Sequence, residues 1–177
     1  MDFFELIARR ESCRSYDPNR PVEPEKLRRM VEAAHIAPSA CNSQPWKFLV
    51  VTDPEKKAQA VKCLQSLGMN RFASDAPAVI FIVEQPTMLS SKVVQRFKNQ
   101  DFAQMDIGIA TAHLALAATQ QGLSTCIIGW LSQEKLKNLF GLSENEHVRL
   151  ALTVGYAAND TLREKNRKPL DDIAEYI

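Results

Sequence analysis

Pro38-Ser39-Ala40-Cys41-Asn42-Ser43-Gln44-Pro45-Trp46 joins a stretch with helical spacing to a short run of β-formers. A plain connection needs one turn-forming residue. This one carries two prolines, two serines, the amides of Asn42 and Gln44 and an indole. Rigidifying residues and hydrogen-bonding heads occupy nearly every position, as expected of a loop that holds a ligand.

The elements on either side alternate between helix and strand. Asp2 is placed to cap a short helix that puts Phe3, Leu6 and Ile7 on one face and ends near Arg9-Arg10. Pro24 suits the first turn of a second helix, with Leu27, Met30, Val31 and Ala34 at helical spacing and Pro38 as its stop. Trp46 to Thr52 reads as a strand. Asp53-Pro54 starts a helix expected to continue to Gly68, and Ala78 to Val83 is apolar on both alternations, as in a strand covered on both faces. Residues 86–100 are polar with a weak helical pattern and are expected to form a flap.

Phe102 to Gln121, closed by Gly122, is the longest helix candidate, and its apolar residues run nearly all round the cylinder. Such a helix must be covered on most sides. A chain this small would struggle to enclose it alone, which points to a subunit interface. Thr125 to Ile128 and Val148 to Tyr156 supply two more strands, with a helix from Ser132 to Gly141 between them. The expectation is one α+β domain over residues 1–177, a sheet of about four strands flanked by helices.

Composition narrows the function classes. The chain has 177 residues, 45% of them hydrophobic and 24% charged, which suits a single folded domain. Lys and Arg number 22 against 21 Asp and Glu, so overall charge gives no reason to expect a nucleic acid or an anionic membrane as partner. Cys13, Cys41, Cys63 and Cys126 lie far apart with no C-x-x-C pair, and they are expected as reduced, buried or half-buried thiols of a cytoplasmic protein. No signal peptide is legible at the N-terminus, and no apolar run reaches the ~20 residues of a membrane span. His35, His113 and His147 have no metal-ligand spacing. The signatures of serine hydrolases, P-loop proteins and dinucleotide-binding folds are missing. Trp46 opens an apolar strand and reads as a core anchor, whereas Trp130 fits either core or ligand surface.

Two basic clusters remain. In Arg9-Arg10-Glu11-Ser12-Cys13-Arg14-Ser15-Tyr16, an extended chain puts Arg10, Ser12 and Arg14 on one side and Glu11 and Cys13 on the other. Two guanidinium groups and a hydroxyl on one edge suit a ligand with phosphate and carbonyl oxygens. On its own, the cluster is better read as Arg10 complementing the helix C-terminus and Arg14 solvated, since surface arginines are common. Lys165-Asn166-Arg167-Lys168-Pro169 forms the second cluster, by default a solvated loop.

Taken with the central loop, both clusters resemble the nitroreductase family of flavin enzymes. That family has a PSxxNxQPW signature, an upstream R-x-S-x-R/K element and a closing K-x-R element before a proline. The resemblance covers essentially the whole chain. It implies a three-layer fold with a mostly antiparallel central sheet, in an interface-swapped homodimer with FMN at the interface. It assigns Arg10, Lys165 and Arg167 to the FMN phosphate, which carries roughly two negative charges. Ser12 and Arg14 fall on the ribityl chain and the N1/C2=O edge, where a fixed cation stabilises the reduced anion. Pro38, Ser39, Asn42 and Gln44 reach the ring and ribityl chain from the partner subunit, and Asn70 matches the family's asparagine at the polar edge of the ring. Cys126, Ile127, Ile128 and Gly129 match the segment lying against the ring near N5.

Two positions depart from the pattern. Ile128 stands where some members have a Glu, and Glu11 where others have a second basic or an aromatic residue. Both bear on substrate preference. The activity implied is NAD(P)H-dependent reduction, through flavin N5, of a small-molecule acceptor such as a nitroaromatic or quinone in a ping-pong cycle. No catalytic side chain is offered at the matched positions. Alternatives are reductive dehalogenation, enone or flavin reduction, and a non-catalytic flavin-binding redox sensor.

Overall fold

The computed structural model describes residues 1–87, 101–159 and 161–177. The flap expected over 86–100 therefore lies, beyond its first two residues, outside the described residues. The helices and strands that build the fold are, in chain order, α1 (Phe3–Arg9), α2 (Pro24–His35), β1 (Trp46–Val51), α3 (Pro54–Lys62), β2 (Ala78–Glu84), α4 (Phe102–Gln120), β3 (Ser124–Ile128), α5 (Gln133–Phe140) and β4 (His147–Gly155).

Their ends follow local chemistry. Asp2 and Glu5 form a reciprocal capping box on α1. Pro24 and Pro54 occupy first-turn positions of α2 and α3, and the Asp53 carboxylate accepts the Lys56 N–H at 2.8 Å. Helix α3 stops at Lys62 and not at Gly68 as expected, because the chain then makes two 3-10 turns in which Leu67 and Asn70 adopt left-handed backbone angles. Ser132 precedes α5 without a side-chain cap.

The sheet runs β1-β2-β4-β3, antiparallel throughout. Central β2 is buried at every position, as its unbroken apolar run requires. Its alternation sorts the core into two layers. Ala78, Ile80 and Ile82 face Leu27, Met30 and Ala34 of α2 and Ile107, Ala110 and Leu114 of α4. Val79, Phe81 and Val83 face Ala60 and Val61 of α3 and Leu136 of α5. Trp46 is buried in the first layer, as its place at the head of a strand predicts. The result is helix–sheet–helix, the expected three-layer architecture.

The segment after α1 completes the sheet edge beside β3. Ser12 bridges Thr125 in parallel, the Cys13 N–H donates to the Thr125 carbonyl at 2.8 Å, and Tyr16 bridges Ala157. Tyr16 is buried, its hydroxyl 2.8 Å from Thr153 Oγ1, and burial pushes its phenol far above the ordinary range. Gly155 makes this docking possible. A Cβ there would lie 2.6 Å from Pro77 Cδ and 2.8 Å from Tyr16 Cδ1. Gly155→Ala is therefore expected to lower stability by about 1–3 kcal/mol, the range for overpacking, in urea denaturation followed by circular dichroism. A variant within about 0.3 kcal/mol of the parent would show that the segment is not tightly seated.

Candidate flavin site

Docking along β3 brings the upstream basic element to one strand end. Ser12 and Arg14 both act on the Cys126 thiol. Burial, the larger effect, pushes that thiol up; the Arg14 charge and a hydrogen bond from Ser12 pull it down. Arg10 caps α1 with its N–H on the Leu6 carbonyl and is half-buried, while Arg14 is exposed. Cys13 points inward, packed with Tyr16 and Ala76. Glu11 does not share that fate, although strand alternation puts it on the same side. It remains partly exposed and turns to the C-terminal segment.

Along the end of β3, Ile127 and Gly129 are exposed and Ile128 is buried in the α3/α5 layer. The Ile128 side chain is thus committed to the core, so only its backbone can face a ligand. A Cβ on Gly129 would meet only Leu150 Cδ2 at an ordinary 3.8 Å. Packing within the chain does not demand a glycine there; its bareness leaves the outer surface open to close approach. Trp130 is half-exposed, with its indole N–H on Ser66 Oγ at 2.7 Å, which places it at the surface.

The C-terminal segment folds back on this edge. The Arg163 backbone N–H and Nε both donate to Glu11 Oε2, at 3.3 and 3.4 Å, and its Nη2 donates to the Ser12 carbonyl. Lys165 Nζ donates to the Ala8 carbonyl, two residues before Arg10. Among the described residues, the exposed Arg167 bonds only a neighbouring carbonyl, that of Asn166, at 2.7 Å. The structure therefore brings Ser12, Arg14 and the head of the tail together and sets Lys165 beside the Arg10 turn. Arg167 is not bonded to the rest of this group.

The Pro38–Trp46 loop is a separate rigid unit at the start of α4. Cys41, Asn42 and Gln44 have φ of 51°, 52° and 46°. Left-handed angles at non-glycine residues cost of order 1–3 kcal/mol each and persist only where the surroundings enforce them. Here the Gln44 N–H donates to Ser39 Oγ at 3.0 Å, and the Gln44 amide donates to both the Asn42 carbonyl and Asn42 Oδ1 at 3.2 Å. Buried Asp106 on α4 accepts the Ala40 N–H at 3.0 Å. Asn42 and Gln44 are exposed on top of the loop, and so is Cys41, against the expectation of a buried or half-buried thiol. Cys13, Cys63 and Cys126 are buried. Asn70 is half-buried in a left-handed conformation, its amide donating to the Leu64 carbonyl at 3.0 Å. That bond closes the turn after α3 and leaves Oδ1 as the atom available to a ligand.

Sequence reasoning missed Asp106 and Arg163. Neither belongs to a local motif, and each meets its partner across a wide sequence gap. Among the described residues, no group of three or more His, Cys, Asp or Glu is arranged to hold a metal ion. The residues present suit a flavin mononucleotide. Arg10 and the neighbouring Lys165 would offer cations to a phosphate, Ser12 and Arg14 would offer donors beside β3, and the exposed Gly129 backbone leaves room for a flat ring.

Asp106→Ala is expected to leave the Ala40 N–H without its charged acceptor. Stability should fall by about 1–3 kcal/mol, with faster hydrogen exchange at residues 39–44; Asp106→Asn, which keeps an acceptor, should lose less. Unchanged exchange in the alanine variant would show that the loop holds itself.

The comparisons with known proteins agree with this architecture. The sequence profile described as the nitroreductase family matches residues 7–70 and 64–156. YdgI of Bacillus subtilis (strain 168), which carries the name of an NAD(P)H nitroreductase, is 28% identical over 205 residues, covering 99% of this chain and 97% of that protein. Iodotyrosine deiodinase 1 of Rattus norvegicus is 27% identical over 197 residues, covering 97% of this chain and 68% of that protein. The solved structure of a nitroreductase family protein from Clostridium difficile 630 superposes with a TM-score of 0.78 at 28% identity, covering 99% and 98% of the two chains. With the family profile spanning the sheet, the central loop and the upstream basic element, this chain belongs to the nitroreductase family.

Proposed function

We propose that this chain is an FMN-dependent oxidoreductase that takes reducing equivalents from NAD(P)H and delivers them to an oxidised small molecule, a nitroaromatic or quinone. The observation that carries the reading is the edge of β3, where Ser12 pairs with Thr125, Arg14 lines a pocket with Cys13 and Arg163, and the Gly129 backbone is exposed. A flavin held there would supply the hydride-transfer chemistry between nicotinamide and acceptor.

The protein's part is position and charge. Arg10, Lys165 and Arg167 hold the phosphate, each through charge-assisted hydrogen bonds. The Arg14 guanidinium would lie toward the pyrimidine edge of the ring, where a fixed cation would favour the negative charge of the reduced form. Oδ1 of Asn70 accepts from the same polar edge. The bare Gly129 leaves one ring face accessible for the nicotinamide and the acceptor to use in turn.

The site is completed by a second copy of the chain. Helix α4 covers one flank with α2 and the sheet but exposes Met105 and Ile109, one turn apart, and α1 exposes Phe3 and Phe4. Apolar residues of this size on two neighbouring helices suit a two-fold interface. Across it, Pro38, Ser39, Asn42 and Gln44 of the partner subunit's loop close over the flavin.

Protein purified without added cofactor should be yellow, release FMN and not FAD on denaturation, and oxidise NAD(P)H steadily when a quinone is added. Arg10→Glu and Arg167→Glu should each weaken FMN binding by about 2–4 kcal/mol, since loss of a charge-assisted hydrogen bond is compounded by repulsion. Riboflavin, which has no phosphate, should bind parent and variants alike. Colourless protein that takes up no FMN at micromolar concentration would overturn the reading. Bound flavin that no nicotinamide reduces would favour a sensor.

A further inference from the structure

We propose that Glu11 and Arg163 form a clasp that preassembles the two halves of the phosphate cradle before the cofactor arrives, which makes both of them positioning residues for the flavin site. The clasp rests on the FMN reading above and adds two residues to it. The two halves repel each other. Residues 9–14 carry Arg9, Arg10 and Arg14 against Glu11, and residues 163–168 carry Arg163, Lys165, Arg167 and Lys168 against Glu164. With no anion between them, like charge alone would hold the tail away from the strand edge.

The Glu11–Arg163 pair supplies the opposite term. One carboxylate oxygen receives both the backbone N–H and Nε of Arg163, and the same guanidinium reaches the Ser12 carbonyl. Both contacts fall on the segment that carries Arg10 and Arg14. Arg163 also lines one pocket with Glu11, Cys13 and Arg14, which puts it at the β3 edge together with Arg14. Glu11 is 18% exposed against 55% for Arg163, so the carboxylate is the fixed half and the arginine the docking half.

The geometry then sets the cations that follow. The tail forms no regular helix or strand from residue 161 to 169, so contacts with the rest of the chain, and not periodicity, set its course. Anchoring Arg163 on Glu11 holds Lys165, two residues on, at the Ala8 carbonyl near the end of α1. Glu11, which departs from the family pattern, thereby acquires a role, because its carboxylate is the attachment point of the tail. Ordering of the tail before binding removes an entropic cost from FMN capture.

The test uses the full chain stripped of flavin, in four variants: Glu11→Gln, Arg163→Gln, the double variant and Arg163→Lys. FMN and riboflavin dissociation constants are read from quenching of flavin fluorescence, and hydrogen exchange over residues 161–168 is measured without flavin. Each glutamine variant should weaken FMN binding roughly three- to fivefold, the upper part of the span open to a partly exposed ion pair. Riboflavin should stay within about twofold, and tail exchange should accelerate at unchanged Tm. The double variant should be no weaker than the weaker single, because both remove one interaction. Arg163→Lys should retain most of the affinity. Unchanged FMN affinity in both single variants, equal weakening of FMN and riboflavin, or independent losses that multiply in the double variant would each overturn the clasp. If Arg163→Gln does not fold, Glu11→Gln and Arg163→Lys decide by the same readings. A parent that binds no FMN overturns the functional reading itself; a parent that binds FMN beside unaffected variants overturns only the clasp.

Discussion

The candidate site depends on the docking of residues 12–17 along the sheet edge. Backbone hydrogen bonds hold that segment: Cys13 N–H to the Thr125 carbonyl, Asp17 N–H to the Tyr156 carbonyl, and Ala158 N–H to the Ser15 carbonyl. The buried Tyr16 fixes its depth, and Gly155 provides the space into which the tyrosine ring settles. This register carries the exposed Arg14 on a segment paired to β3, where it lines a pocket with Glu11, Cys13 and Arg163. A backbone-enforced position suits a group whose effect is electrostatic, because a fixed charge needs no reorganisation when the charge on the ligand changes.

The central loop shows the same principle with strain added. Three left-handed residues within four positions would relax in an isolated peptide. Ser39 and Asp106 hold them, Ser39 through its hydroxyl and Asp106 through a carboxylate buried on α4. Because α4 also carries the exposed Met105 and Ile109, the loop is fixed to the helix that the proposed dimer would pair. In the proposed dimer, anchoring the loop to that helix would let one subunit present a stiff set of amides to the other.

Much of this was legible in the sequence, because the signals were local. The unbroken apolar run of Ala78–Val83 and the apolar spacing in α2 and α4 depend on residues close in the chain, and they placed the central strand and the helices that cover it. The helix expected to reach Gly68 ended at Lys62 because left-handed Leu67 and Asn70 follow no rule of periodicity. Trp130 was ambiguous until its bond to Ser66 put it at the surface. Asp106 and Arg163 were invisible for a different reason. Asp106 meets a backbone amide 66 residues away, and Arg163 a carboxylate 152 residues away. A backbone amide has no sequence signature, and one Glu among many does not reveal its partner. Glu11 was noticed only as a departure from the family pattern; the contact with Arg163 supplies its physical reason.

The central claim, that the docked N-terminal edge and the folded-back tail form one phosphate-and-ring site, is tested most directly by a crystal structure of the protein with FMN bound. The account predicts the phosphate within hydrogen-bonding distance of Arg10, Lys165 and Arg167, the Arg14 guanidinium at the pyrimidine edge, and the ring face against the Gly129 backbone. FMN lodged elsewhere, or a phosphate held by none of these cations while the tail lies away from Glu11, would contradict it.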